Sequence, residues 1–279
     1  MIRPVLQDDA LLADVAAAAA EANPRRLCVW WLGQSGFLVG YEGDFLLFDP
    51  YLSDSLTKKY ATTDKPHVRM TERVVDPARL EFVSALTSTH NHTDHLDAET
   101  LSVIFGAAPS AKLVVPAANV GFVTQRLGAA AGRLVPLADG ERATVGVFTL
   151  EAVPAAHEEL APEYAGFVVS MGPFRIYHSG DTVRFPGMAA RVRAGGAIDL
   201  ALLPINGRAP ERRVSGNLDG AEAAQLAHDI GARCVVPCHY EMFEFNTASP
   251  DVFVAACARL GQRAVVLRAG ERLVLDAKP

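Results

Sequence analysis

A dense group of metal-binding side chain types lies in the segment STHNHTDHLD, residues 88–97 of a 279-residue chain. The preceding run FVSALTST is typical of a strand, so histidines two positions apart can project to one face. The backbone must then turn, since Asp97 begins a helix-like segment. The turn can bring four side chains together: His90, His92, Asp94 and His95. Imidazole and carboxylate ligands in this mixture suit zinc, iron or manganese; a polar loop with helix-capping residues is the alternative.

Three further candidate ligands occur where an apolar strand meets a loop. His157 follows FTLEAVPAA, Asp181 follows FRIYHSG and His239 follows RCVVPC. Loops at strand ends are where a sheet protein presents chemically active groups. Each residue alone could be an ordinary loop residue, but together they could complete a binuclear site.

The rest of the chain predicts sheets covered by helices. An alanine-rich helix at about residues 6–22 precedes the runs LCVWWLG, FLVGYE and DFLLFDP, which are typical of hairpin strands. A strand-dominated block with helices then recurs, and such apolar strands need helices on their faces. No low-complexity linker is visible, so residues 1–279 are predicted to form one domain. Residues 50–80 show no period and are predicted to be a long loop, which is usually functional or mobile.

Composition restricts the class of protein. Half of the residues are apolar and the net charge of −6 is mixed along the chain, which disfavours a nucleic-acid binder with a broad basic face. The four cysteines form no paired framework, so buried thiols in a reducing, cytoplasmic setting are expected. No membrane-spanning or basic amphipathic segment is evident, which argues against stable membrane association. A homo-oligomer is left open.

The order of these motifs resembles the metallo-β-lactamase superfamily of metal-dependent hydrolases. The pattern is HxHxDH, a single histidine, SGDT and then a strand-end histidine. The segments VWWLGQSGFLVGYEGDFLLFDP, THNHTDHLD, YHSGDT and VVPCHY are most similar to the branch that contains L-ascorbate-6-phosphate lactonase. That branch also resembles the phospholipase D acting on N-acyl phosphatidylethanolamines. The resemblance implies an α/β fold, a four-layer αββα sandwich with its metals at one edge between two sheets.

The resemblance also implies how two divalent metal ions, zinc or manganese with iron as a further option, are held. The first ion would be bound by His90, His92 and His157, the second by Asp94, His95 and His239, with Asp181 bridging. Two such cations can share one water, lower its pKa to about neutral and stabilise the oxyanion that forms on attack. The predicted mechanism is therefore attack by a metal-bound hydroxide.

Other residues are predicted to act around the metals. Asp94 is the predicted catalytic residue, both as a ligand and as the group that orients the water. Asp49 lies at the end of the strand DFLLFDP and is predicted to fix a ligand loop or the tautomer of a ligand histidine. His178 is likewise predicted to support the site without binding a metal. A turn-forming aspartate and an ordinary strand histidine are the alternatives.

A small anionic substrate is predicted from two loops. Residues 50–80 carry six basic and four acidic residues, and residues 206–219 carry three basic and two acidic ones. Arg208 follows the strand DLALLPI and is the predicted anchor, because arginine suits bidentate capture of carboxylate or phosphate. Solvated loop charges are the alternative.

Three functions remain open. Hydrolysis of a small carboxylic or phosphorylated compound, with lactone opening as the leading case, is the first. A phosphodiesterase acting on a phospholipid or a nucleotide is the second. The third is a metal-binding scaffold without catalytic activity.

Overall fold

Two β-sheets form the centre of the protein in the computed structural model, which describes residues 1–210 and 216–278. Within these residues the strands are β1 Arg26–Gly33, β2 Gly36–Tyr41, β3 Asp44–Phe48, β4 Ala85–Thr87, β5 Lys112–Pro116, β6 Leu134–Leu137, β7 Arg142–Val145, β8 Phe148–Ala156, β9 Leu160–Met171, β10 Phe174–His178, β11 Leu200–Pro204, β12 Cys234–Cys238 and β13 Arg272–Asp276. The helices are α1 Asp9–Glu21, α2 Ser55–Tyr60, α3 Ala98–Ala107, α4 Val120–Leu127, α5 Met188–Arg193, α6 Gly220–Asp229 and α7 Asp251–Leu260.

The two sheets have related topologies. The first has the order β13-β1-β2-β3-β4-β5-β6 and the second the order β12-β11-β10-β9-β8-β7. Strands β1, β2 and β3 form the predicted antiparallel hairpins, while β3 to β6 run parallel. In the second sheet, β10, β11 and β12 are parallel. The carboxyl ends of neighbouring parallel strands therefore share one edge of each sheet.

The strands carry apolar side chains on both faces, so each sheet packs against the other sheet on one face and against helices on the other. In β1, Trp31 packs between the sheets, whereas Trp30 faces the opposite way among residues of α1, α3 and α4. The same alternation follows from the two-residue period of a strand. The core between the sheets continues into residues of α5, α6 and α7. The predicted four-layer αββα sandwich is confirmed.

Residues 50–80 contain more structure than the sequence indicated. They form helix α2 and a short 3₁₀ helix at Pro77–Arg79. Leu56 of α2 and Tyr51 are buried against Met242 and Phe243, which follow β12. These apolar contacts are distant in sequence, so no local period revealed them. Consequently α2 is held beside the loop that carries His239.

The burial of the cysteines and the length of the helices bear on two further expectations. The four cysteines are free and buried, as expected for thiols outside a disulfide framework. In the part of the chain that the structure describes, no helix has the length and apolar character needed to cross a membrane.

Candidate metal centre

The seven predicted ligands converge where strand ends of both sheets meet. The first sheet contributes the loop after β4, which carries His90, His92, Asp94 and His95. The second sheet contributes His157 after β8, Asp181 after β10 and His239 after β12. The fold thus brings together residues that are separated by up to about half of the chain.

The ligand atoms form overlapping groups of metal-binding size. Within each group the atoms lie within 4.8 Å of one another: His90, His92 and His157; His90, His95 and Asp181; and Asp94, His95 and His239. The first and third groups are the two triads implied by the resemblance, and Asp181 lies between them. Its Oδ1 is 2.9 Å from Nε2 of His239, and its Oδ2 is 3.7 Å from Nε2 of His157.

Polar atoms of this cluster that lack hydrogen-bond partners are suited to bind cations. Nε2 of His90 is buried without a hydrogen-bond partner among the described residues. Nε2 of His95 and Nε2 of His239 face each other at 3.2 Å. Buried polar atoms are normally satisfied, and two imidazole lone pairs at this separation repel unless a proton or a cation lies between them. The donor set therefore fits divalent metal ions.

Hydrogen bonds on the far side of the rings fix which nitrogen faces the centre. Nδ1 of His157 lies 2.8 Å from the carbonyl oxygen of Gly216, to which it can donate. Nδ1 of His95 lies 2.8 Å from Oδ2 of Asp49. In both rings Nε2 is then directed at the cluster. A donor bond of this kind fixes the tautomer of a metal-binding histidine.

Asp49 organises the start of the histidine loop. It is fully buried and accepts hydrogen bonds from the hydroxyls of Thr87 and Thr89, at 2.7 and 2.5 Å, and from the backbone N–H of Thr89. Burial alone would raise the pKa of Asp49, but the hydrogen bond from His95 and the nearby His178 hold it below its usual value. Asp49 thus contacts the ring of His95 and the start of the histidine loop, and its role in supporting a ligand stays a prediction.

His178 occupies a different place from Asp49. Its Nε2 lies 3.0 Å from Oγ of Ser35 and its ring stacks on Phe48, with centroids 4.7 Å apart. Its contacts are thus with the turn between β1 and β2. The prediction that it supports the ligands remains open.

Gln34 is a site residue that the sequence reasoning missed. Its Nε2 donates to Oδ2 of Asp94 at 2.8 Å and lies 3.1 Å from Nδ1 of His239. It therefore links ligands from the two sheets. The available signal was its position in the turn Gly33-Gln34-Ser35-Gly36 between two apolar strands.

Gln34, Asp49 and His239, which lie at or beside the ligand cluster, have left-handed backbone conformations. The φ angles are 50° for Gln34, 35° for Asp49 and 66° for His239. Such conformations are uncommon for L-residues and cluster at functional sites. Each of these residues directs a polar side chain at the cluster from the end of a strand.

Glycine before Asp181 permits a close approach of the two halves. Gly180 has a φ of 59°, and a Cβ there would lie 2.6 Å from Cβ of Thr89. Any larger residue would therefore push the Asp181 loop away from the histidine loop. Steric crowding against Thr89 thus explains why glycine lies between Ser179 and Asp181.

Burial and neighbouring charges shift the pKa values of several groups in the cluster. Burial lowers the pKa of His90 well below its ordinary value and also lowers that of His92. Burial opposes the charged form of His95 too, but Asp181 and Asp94 outweigh it and raise the pKa of His95 well above 6.5. His239 and His95 hold the pKa of Asp181 well below its usual value despite its burial.

We expect metal binding to release a proton from His95 near pH 7. With its pKa raised, His95 is cationic in the metal-free protein, whereas a metal ligand must be neutral. The release should decline as the pH rises through that raised pKa, because the proton is then already lost. Calorimetric titration with zinc in buffers of different ionisation enthalpy measures it. Equal heats in all buffers at pH 7, or an unchanged release in His95→Gln, would contradict this assignment.

An open pocket leads to the cluster, with a cavity volume of about 310 Å³. Its base includes the predicted ligands His92, Asp94, His157, Asp181 and His239. One wall comes from α2 and the segment after it, including Leu56, Lys59, Tyr60, Lys65 and His67. Gln34, Asn217 and Asn246 add amide groups. The dimensions and lining suit a small polar molecule.

Arg208 has a different environment from the predicted one. Its guanidinium makes two hydrogen bonds to the carboxylate of Glu222, at 2.5 and 2.6 Å, and Arg208 is not among the described residues that line the pocket. Three other charged residues of the 206–219 loop, Glu211, Arg212 and Arg213, lie outside the described residues. The role of Arg208 as a substrate anchor stays a prediction.

Known proteins are similar to this chain in sequence and in fold. Residues 44–240 match the family described as the β-lactamase superfamily domain. A UPF0173 metal-dependent hydrolase from Pyrococcus abyssi is 31% identical over 256 residues, covering 88% of this chain and 99% of the relative.

Among solved structures, Igni18, a metallo hydrolase from Ignicoccus hospitalis, is similar with a TM-score of 0.67 and 22% identity, covering 91% of this chain and 100% of that one. A possible metal-dependent hydrolase from Veillonella parvula has a TM-score of 0.72 and 15% identity, covering 89% and 99%. These likenesses concern the fold, whereas the sequence matches identify the family. The chain belongs to the metallo-β-lactamase superfamily and, within it, to the UPF0173 family of metal-dependent hydrolases.

Proposed function

We propose that the protein is a hydrolase with a binuclear metal centre that acts on a small anionic substrate, with lactone opening as the leading reaction. The observation that carries this proposal is the pair of three-ligand groups with Asp181 between them, at the base of an open pocket. A second ion needs its own ligands, and the seven side chains supply them. The family of metal-dependent hydrolases supports the reaction class.

The seven predicted ligands have different proposed roles. His90, His92 and His157 would hold one ion, Asp94, His95 and His239 the other, and Asp181 both. When bound, two such ions activate water as a nucleophile and stabilise negative charge on the substrate. Zinc or manganese suits the ligand set, and iron is a further candidate.

Asp94 is the proposed catalytic residue, as a ligand and as the group that orients the water. It lines the pocket, and burial alone would raise its pKa, but His95 and His239 hold that pKa below its usual value. The carboxylate is therefore ionised at neutral pH. Because Gln34 donates to Oδ2 of Asp94, the carboxylate is held in one orientation while it orients water or takes a proton.

Phosphodiester hydrolysis is the second candidate. The basic side chains Lys59 and Lys65 in the pocket wall suit a phosphate diester as well as a carboxylate. A pocket of about 310 Å³ favours a small diester over a phospholipid with two acyl chains.

We expect the metal-loaded protein to open small lactones, which would be measured as acid release without a phosphomonoester or an alcohol. Bis(p-nitrophenyl) phosphate serves as the diester probe, and the chelated protein is the control because the chemistry requires the ions. Diester cleavage without lactone opening would favour the second candidate. Two tightly bound ions without either activity would indicate a metal-binding scaffold and contradict the proposed function.

The cellular setting is also a proposal. Four free, buried thiols are compatible with a reducing compartment, so we place the protein in the cytoplasm. We propose a small molecule as its partner, without stable membrane association or nucleic acid.

A further inference from the structure

Two cationic side chains converge on one hydroxyl beside the metal cluster. Nζ of Lys59 lies 3.3 Å from Oγ1 of Thr93, and Nη2 of Arg126 donates to the same oxygen at 2.9 Å. Thr93 lies between the predicted ligands His92 and Asp94 in the sequence. Helices α2 and α4 thus deliver two positive charges to the histidine loop from separate parts of the chain.

Neither cation has a carboxylate partner among the described residues, in contrast to the neighbouring Lys58. Lys58, one residue earlier on α2, forms an ion pair with Glu99 at 2.8 Å. Arg126 donates its other nitrogen, Nη1, to the backbone carbonyl of Asn91 at 3.2 Å. The carboxylates that line the pocket, among the residues described, are Asp94 and Asp181, which the metals would use.

The hydroxyl of Thr93 is left with a proton to donate. Its oxygen accepts from Lys59 and Arg126, which occupies its two lone pairs. Thr93 is buried but lines the pocket, as does Lys59. An O–H donor and an ammonium group are therefore adjacent at the pocket wall, next to the metal ligands.

We infer that Lys59 and the hydroxyl of Thr93, braced by Arg126, bind a terminal oxyanion of the substrate, a carboxylate or a phosphate, beside the scissile bond. As a substrate assignment this rests on the proposed function. Arg126 is a positioning residue, because its contact is with Thr93 and with the backbone of the histidine loop. The subsite explains a charge preference without Arg208, whose guanidinium is paired with Glu222.

Binding of inorganic phosphate and of acetate to the metal-loaded protein tests the subsite without turnover. Lys59→Met keeps the aliphatic stem and removes the charge, so it should weaken the binding of at least one of the two anions by about tenfold to a hundredfold, since a charge-assisted hydrogen bond is lost. Lys58→Met is the matched control on the same helix and should bind both anions like the wild type. Metal content should be equal in all three proteins. The anion that loses more affinity identifies the preferred group.

Kinetics with paired substrates gives the second readout. Lys59→Met should raise KM for a lactone that carries the preferred anion and leave that for an uncharged lactone of similar size nearly unchanged. Unchanged anion affinity in Lys59→Met, or a charge-selective loss in Arg208→Ala instead, would overturn the inference. If Lys59 controls phosphate or acetate binding and no substrate is hydrolysed, the subsite stands and the proposed function fails.

Discussion

Replacing Asp181 with alanine should remove most of the second metal equivalent and reduce hydrolysis by roughly a thousandfold or more. The carboxylate lies between the two ligand groups, 2.9 Å from His239 through Oδ1 and 3.7 Å from His157 through Oδ2. In the proposed centre, losing it would remove a shared ligand and leave the neighbouring imidazoles without their negative partner. A binuclear centre contributes several kcal/mol of charge stabilisation, which corresponds to about three orders of magnitude in rate.

Metal analysis of protein purified without chelator measures the first effect, and steady-state kinetics the second. The wild type should approach two equivalents per chain. His228→Ala changes an exposed histidine on α6 and should behave like the wild type. A wild-type protein that holds no more than one ion under metal-replete conditions, or an Asp181→Ala protein that still holds two, would refute the seven-ligand assignment.

Replacing Asp49 with alanine should lower the free energy of unfolding by about 3–5 kcal/mol, the range typical of removing one partner from a buried charged pair. Asp49 is fully buried, and its carboxylate accepts from the ring of His95 and from the hydroxyls of Thr87 and Thr89. Without it, these donors are buried and unpaired. Urea unfolding of the metal-free protein isolates this effect from metal loss.

The effect of Asp49 should depend on pH. The pKa of Asp49 is held below its usual value in the folded protein, so its stabilising contribution is complete above the pKa of the unfolded chain and is lost as the pH falls through the pKa of the folded protein. The difference between wild type and Asp49→Asn should therefore shrink below about pH 4. Glu99→Ala breaks an exposed ion pair with Lys58 and should cost less than about 1 kcal/mol. A cost as small as this for Asp49→Ala would show that the buried contacts are not stabilising.

The candidate ligands could be predicted from the sequence because they follow strands that are easily seen. Each strand is apolar, and the polar residue after it lies where the strand ends and a loop begins. His157 and His239 were found in this way, although they are 82 positions apart. The order of motifs then implied the sandwich, and the family match confirms it.

The contacts around the ligands could not be predicted in the same way. Gln34 lies in a turn whose sequence shows no metal-binding pattern, and it meets Asp94 only because β1 and the histidine loop share an edge. Arg208 was favoured by its proximity to a strand end, but the structure pairs it with Glu222 on the next helix. Lys59 and Arg126 meet at Thr93 through the packing of two helices on the same loop. Such convergence depends on tertiary packing and leaves no local period.

The left-handed backbone at Gln34 and His239 has a consequence for evolution and engineering. Glycine would relieve the backbone strain at both positions, at the cost of a polar group directed at the cluster. Asp49 differs, because its buried carboxylate is expected to stabilise the fold by more than the backbone strain costs. At Gln34 and His239, selection for stability alone would therefore act against the candidate centre, so stability and activity are in conflict there.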